Sequence, residues 1–95
     1  MIGAKNVATE AKAPLVLVVE DEAIIAKDIE RSLVALGYQV LGRASSAEDG
    51  VQKARSGRPD LILMDIGLPG ELDGINAAEI INRDLHIPVE LPASS

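Results

Sequence analysis

The apolar positions change period several times along the chain. Leu15–Val19 reads LVLVV, a continuous β-branched run with no polar alternation, the pattern of a strand covered on both faces. From Ala23 to Leu36 the spacing becomes Ile25, Ile29, Leu33, Leu36, which is helical, and Gly37 follows as a stop. This aliphatic stripe is read as core first and as a partner surface second. YQVLGRA (38–44) is a second, weaker strand. Ser45 with Glu48 three residues on is a capping-box pair that predicts a short helix to about Ser56, broken by Gly57-Arg58-Pro59. Leu61–Asp65 is a third strand, Asp73–Asp84 a third helix carrying Ile75, Ala78 and Ile81, and IPVEL (87–91) begins a fourth strand.

Strands and helices therefore alternate, and the strands are apolar throughout. That combination predicts a parallel sheet with helices on both faces. Residues 1–14, small and polar and ending at Pro14, read as a tail, 15–91 as the folded domain and 92–95 as a second short tail. No internal repeat beyond the alternation is visible.

Composition narrows the class. A length of 95 residues suits one small domain with a thin core. The 47% hydrophobic content is nearly all aliphatic, with one Tyr and no Phe or Trp, so the core lacks large aromatic anchors. Nine basic against fifteen acidic residues give a net charge of -6, which disfavours nucleic acid and anionic membrane surfaces alike. The absence of cysteine excludes disulfides, thiol catalysis and zinc–thiolate sites. The first residues, MIGAKNVATEAKAP, lack the apolar stretch of a secretory signal. These features together predict a soluble, cytoplasmic, acidic domain.

Charge placement suggests the chemistry. The first strand runs into Glu20-Asp21-Glu22 and the third into Asp65. Open parallel sheets bind ligands beyond the carboxyl ends of their strands, where strand order reverses. If the second strand lies outside the first, the first and third are neighbours and Asp21 meets Asp65. Carboxylates gathered at one point repel one another, and strand ends offer carbonyls rather than donors. A hard divalent cation such as Mg²⁺ resolves the conflict, since it takes oxygen ligands, commonly one or two carboxylates with water and phosphate oxygens. A plainer reading stands beside this one: Asp65 caps a turn, and the acidic run charges the first turn of a helix.

VLVVEDE followed by LILMDIGLPGELDGI, with GYQVLGRASSAEDGVQKA between, resembles the receiver domain of bacterial two-component response regulators. The resemblance runs from about Leu15 to Val89, some three quarters of the chain. It implies a flavodoxin-like doubly wound sheet of strand order 2-1-3-4. It further implies that Asp65 is the phosphoacceptor, taking a phosphoryl group from a histidine kinase or a histidine phosphotransfer protein. Glu20 and Asp21 match the acidic pair that holds Mg²⁺, Asp21 directly and Glu20 through water, and Asp65 and the backbone carbonyl of Gly67 complete the protein ligands. Leu68-Pro69-Gly70 and Gly74 shape the following loop without touching the ligand.

Other features are read blandly. His86 lies in a polar helix-to-strand turn, not as a phosphodonor, and Arg43, Lys53, Arg55 and Arg58 are expected to be solvated. A small Mg²⁺-dependent phosphohydrolase would want a second acid two residues after the nucleophile, where Gly67 stands. The chain is therefore not expected to be a dedicated enzyme.

The resemblance weakens after Val89. A receiver continues with a strand ending in Thr or Ser, a fifth strand ending in Lys and two further helices. Here the chain reads IPVELPASS, with Glu90 where an apolar residue is expected, Ala93 at the hydroxyl position and Ser94 one residue late. No lysine follows Lys53. The expectation is a receiver lacking its last strand and last two helices, with apolar sheet surface left bare and covered in a homodimer or higher oligomer. Such a chain could accept phosphate on Asp65, or serve as a dimerisation or kinase-binding module without productive transfer.

Overall fold

The computed structural model describes residues 13–65, 67, 68, 70 and 72–91. Strands β1 (Leu15–Val19), β2 (Gln39–Ala44), β3 (Leu61–Met64) and β4 (Val89–Glu90) alternate with helices α1 (Ala23–Ala35), α2 (Ala47–Gly57) and α3 (Gly74–Leu85). The strands form one parallel sheet in the order β2-β1-β3-β4, as the resemblance implied. β1 is therefore central, which is why four of its five residues are buried.

The two sheet faces carry separate apolar clusters. Leu17, Val19, Ile62 and Met64 point to the side covered by α2 and α3, where Ala47, Ala54, Ala77 and Ile81 meet them. Val16 and Val18 point to the other side and pack under Ala26 and Leu33 of α1. The side chains are aliphatic, so small alanines bring the helices close to the sheet. On the α1 side of the sheet, Val40, Leu61 and Leu63 are only partly buried against the α1 cluster. Among the described residues, the exposed large apolar side chains lie mostly on helices, with Ile24, Val34 and Leu36 the most open.

Several sequence-based boundaries shift. The inward line of α1 is Ala26, Ile29 and Leu33, while Ile25 and Leu36 of the expected stripe are 43% and 74% exposed. Ile25 lies about 80° around the helix from Leu33 and Ala26 only about 20°, at 3.6 residues per turn. Leu36 is the C-cap, just past the helix. The cap of α2 is Ser46, whose Oγ accepts from the Asp49 N–H at 3.1 Å, not Ser45 paired with Glu48. The Ser-x-x-acid spacing is satisfied one residue later, which frees Glu48 for another contact.

Helix α3 starts one residue later than expected, and Asp73 caps it, its Oδ1 accepting from the Asn76 N–H at 2.8 Å. Arg58 and His86 end α2 and α3 in the left-handed conformation, with φ of 48° and 58°. Both are exposed, so the bland reading of His86 as a turn residue agrees with its position. β2 pairs with β1 through a register shift in which Val40 faces Val16 and Gly42 faces Leu17. Leu41 is bulged out of the ladder and 37% exposed. β4 is shorter than expected, and Glu90 pairs opposite Leu63 with its own residue exposed. Residues 1–12 of the proposed tail, Pro69, Pro92, Ala93 and Ser94 lie outside the described residues.

Candidate functional site

The ends of β1 and β3 are locked side by side by the parallel ladder. Val19 is opposite Met64, and the next amide, that of Asp65, donates to the Val19 carbonyl at 3.0 Å. On the other side of β1 the Glu20 N–H donates to the Ala44 carbonyl of β2 at 2.9 Å. The backbone around the first acid is thus held by two neighbouring strands before any side chain contributes.

Glu20, Asp21 and Asp65 come together there. Each offers a carboxylate oxygen, and the three atoms lie within 4.8 Å of one another. Asp21 is exposed, Asp65 half-buried, and Glu20 turned inward at 6% exposure. The Glu22 N–H donates to Glu20 Oε2 at 3.0 Å and fixes that inward rotamer. Burial pushes the Glu20 carboxyl above its ordinary value, opposed by the Glu22 N–H, and the charges of Asp65 and Asp21 push it further up. Three convergent acids, one pulled toward its neutral form, make a site short of positive charge. This donor set, all oxygen and anionic, fits a hard divalent cation and suits neither a soft metal nor an anion. Among the described residues no other group of three acids, histidines or cysteines converges this way.

The loop after β3 folds back on the site. The Gly67 N–H donates to Asp65 Oδ1 at 3.3 Å, which puts Gly67 next to the acid it was expected to assist. Leu68 is 7% exposed and anchors the loop in the α2–α3 core. Glu48, released from capping, reaches from the first turn of α2 to accept from the Leu72 N–H at 3.3 Å. Gly70 takes φ +106°, a conformation that favours glycine, with Glu48 Oε1 3.4 Å from where a Cβ would stand.

One basic residue expected to be merely solvated is tied to the site. Arg43 Nε donates to the Glu20 carbonyl at 3.1 Å and its Nη2 to the Asp21 carbonyl at 3.3 Å. The signal was present in the strand order: once β2 is placed beside β1, its last residues must lie beside Glu20. Lys53 pairs with Asp49 along α2, and Arg55 reaches Asp84 of α3 at 3.6 Å. Both ion pairs are on the surface, where they add little stability.

A family model for the response regulator receiver domain matches residues 16–91. The chain belongs to that family. Among curated relatives of this receiver domain, the transcriptional regulatory protein PdtaR of Mycobacterium tuberculosis (strain H37Rv) is 38% identical over 96 residues, covering all of this chain and 46% of the relative. The chain thus spans about half the length of that protein. Among solved structures, the receiver domain of a modulated diguanylate cyclase from Desulfovibrio desulfuricans G20 is 39% identical with a TM-score of 0.80, over 86% of this chain and 66% of the other. The anti-anti-sigma factor PhyR of Bartonella quintana, solved in complex with the anti-sigma factor NepR, is 37% identical with a TM-score of 0.77, over 88% of this chain and 35% of PhyR. Receiver domains are signalling modules, and each of these relatives is longer than the part that this chain matches. Among the described residues of this receiver, no helix is long and apolar enough to cross a membrane.

Proposed function

We propose that this receiver is a cytoplasmic phosphoacceptor of a two-component phosphorelay, folded over residues 15–91, in which Asp65 takes a phosphoryl group from a phosphohistidine on a histidine kinase or histidine phosphotransfer protein. The observation that carries this reading is the convergence of Glu20, Asp21 and Asp65 at the carboxyl ends of β1 and β3, where strand order reverses. One Asp65 carboxylate oxygen forms the new O–P bond as the N–P bond of the donor breaks, and the electron pair of that bond leaves on the imidazole nitrogen. The Gly67 N–H holds Oδ1 and with it the rotation of the carboxylate, so that Oδ2 is presented as the nucleophile.

Glu20, Asp21, Asp65 and the Gly67 carbonyl would hold Mg²⁺, which supplies charge neutralisation for the incoming phosphoryl oxygens. Glu20 does this from within the fold, Asp21 and Asp65 from the open side. Half-burial of Asp65 leaves its carboxylate accessible to a partner's side chain while its backbone stays in the sheet.

The test is intact mass after incubation with Mg²⁺ and acetyl phosphate. Wild type gains the mass of one phosphate and Asp65→Asn gains none. A wild-type chain that binds a kinase yet is phosphorylated by neither acetyl phosphate nor the phosphorylated kinase would be a binding module, and the phosphoacceptor reading would fall. Homodimerisation belongs to the same proposal, supported by the exposed Ile24, Val34, Leu36 and Ile75. A folded monomer in sedimentation at micromolar concentration overturns that part.

A further inference from the structure

Outside the acidic trio, the group of greatest chemical interest is the guanidinium at the end of β2. Arg43 is the neighbour of Val18 across the β1–β2 ladder, and Ala44 the neighbour of Val19. Its side chain runs on past the end of β1 and donates from Nε to the Glu20 carbonyl and from Nη2 to the Asp21 carbonyl, at 3.1 and 3.3 Å. These are consecutive carbonyls of the segment that bears two of the three convergent acids. A planar fork with fixed N–H directions holds two such acceptors in one relative orientation, whereas an ammonium offers a single point.

Two amides of the segment are also engaged. The Glu20 N–H is on Ala44, and the Glu22 N–H is on Glu20 Oε2. Arg43 therefore supplies the part of the frame that the sheet does not: strand pairing ends at Glu20, and beyond it only this side chain ties the Asp21 carbonyl to β2 among the described residues. The guanidinium bonds the carbonyls and makes no ion pair with the three carboxylates. It ties down the backbone that bears the acids without pairing with their carboxylates.

We propose that Arg43 is a positioning residue of the acidic site, holding the Glu20–Asp21 backbone in the geometry that binds a divalent cation. This rests on the reading of the trio as a cation site. Groups that orient metal ligands from outside typically change affinity by about 10–100-fold when removed.

The experiment is an NMR titration of the ¹⁵N-labelled chain with Mg²⁺ at constant ionic strength, for wild type, Arg43→Gln, Arg43→Lys and Asp65→Asn. Thermal unfolding without metal is recorded for each, and titrations are run well below the lowest midpoint. Arg43→Gln and Arg43→Lys are both expected to bind Mg²⁺ about 10-fold more weakly than wild type. In their metal-free spectra, amide shifts should change at Glu20–Glu22 while those of Ile62 and Ile81 in the core stay fixed. The Lys variant keeps the charge, so wild-type affinity in it would mean that the two-point hold is irrelevant and would overturn the proposal. Unchanged or tighter binding by Arg43→Gln overturns it equally. If wild type itself shows no saturable Mg²⁺ response, with Asp65→Asn identical to it, the cation reading fails and Arg43 with it. Saturable wild-type binding that Asp65→Asn loses and Arg43→Gln retains would overturn only the role of Arg43.

Discussion

The backbone N–H of Asp65 donates to the carbonyl of Val19 at 3.0 Å, so the two acid-bearing segments are joined by the sheet's own ladder. The separation of Asp65 from Glu20 and Asp21 is consequently a property of strand pairing. A substitution of the Asp65 side chain leaves that bond intact. Asp65→Asn should therefore fold as wild type by circular dichroism, gain no phosphate in intact-mass measurements, and bind Mg²⁺ at least about 10-fold more weakly.

Cation binding should be visible as stability. A ligand that binds only the native state at 100 times its dissociation constant adds about 2.7 kcal/mol. In a domain of this size each kcal/mol moves the midpoint by about 4–8 °C. Saturating Mg²⁺ is expected to raise the melting temperature of wild type by roughly 10–20 °C on these figures, and to raise that of Asp21→Asn much less. Equal shifts in the two proteins would place the bound ion elsewhere.

Without metal, Glu20 makes stability depend on pH. Its carboxyl is raised by burial and by the neighbouring charges of Asp65 and Asp21, so the folded chain holds this proton to higher pH than the unfolded chain does. The stabilising contribution is full below the ordinary glutamate range and is lost as pH rises through the folded value. Glu20→Gln keeps an acceptor for the Glu22 N–H and removes the charge. In EDTA at neutral pH it should be more stable than wild type by about 1 kcal/mol, since the neutral amide removes the cost of burying the charge and its repulsion by Asp65 and Asp21. Urea titrations at pH 4 and pH 7.5 check the sign, since the difference must shrink at the lower value.

The core prediction concerns Ile62, fully buried under α2 and α3. Ile62→Ala should cost about 2–5 kcal/mol. That is a large part of the total for a small domain whose side chains are all aliphatic around it. Loss of the cooperative unfolding transition, or a midpoint at least about 8 °C lower, is the expected outcome by roughly 4–8 °C per kcal/mol.

Gly50 is tested in the opposite sense to its helix propensity. It lies within α2, where alanine is worth up to about 1 kcal/mol over glycine. A Cβ there would meet Val19 Cγ2 at 2.9 Å, and Val19 is locked in the central strand with no room to yield. Gly50→Ala should therefore destabilise by about 1–2 kcal/mol net, within the range of overpacked cores. A stabilised variant in thermal melts would show that α2 moves away from the sheet at little cost.

Much of this was legible in the chain itself. LVLVV and LILM read as interior strands, because short unbroken aliphatic runs bounded by turn residues have no polar face for solvent. The acids that follow them then had to stand at strand ends. Gly37 and Asp73 marked their helix ends because turn and cap chemistry is local, set by one or two residues. The cap of α2 was missed by one position because Ser45 and Ser46 offer the same hydroxyl, and only the path of the chain out of β2 selects between them.

The sequence by itself thus determined which segments are strands, which are helices and that acids follow two of the strands, because periodicity and turn chemistry act over a few residues. The strand order that gathers Glu20, Asp21 and Asp65 was implied by the receiver resemblance. Tertiary structure alone decided which face of α1 turns inward, displacing Ile25 and Leu36 in favour of Ala26. It also decided that Glu48 reaches the Leu72 amide and that Arg43 grips the carbonyls of Glu20 and Asp21. Those contacts join residues more than twenty positions apart, and their partners are backbone groups, which every residue carries alike. No residue pattern encodes a bond to a carbonyl, so only the folded register could show which one each side chain meets.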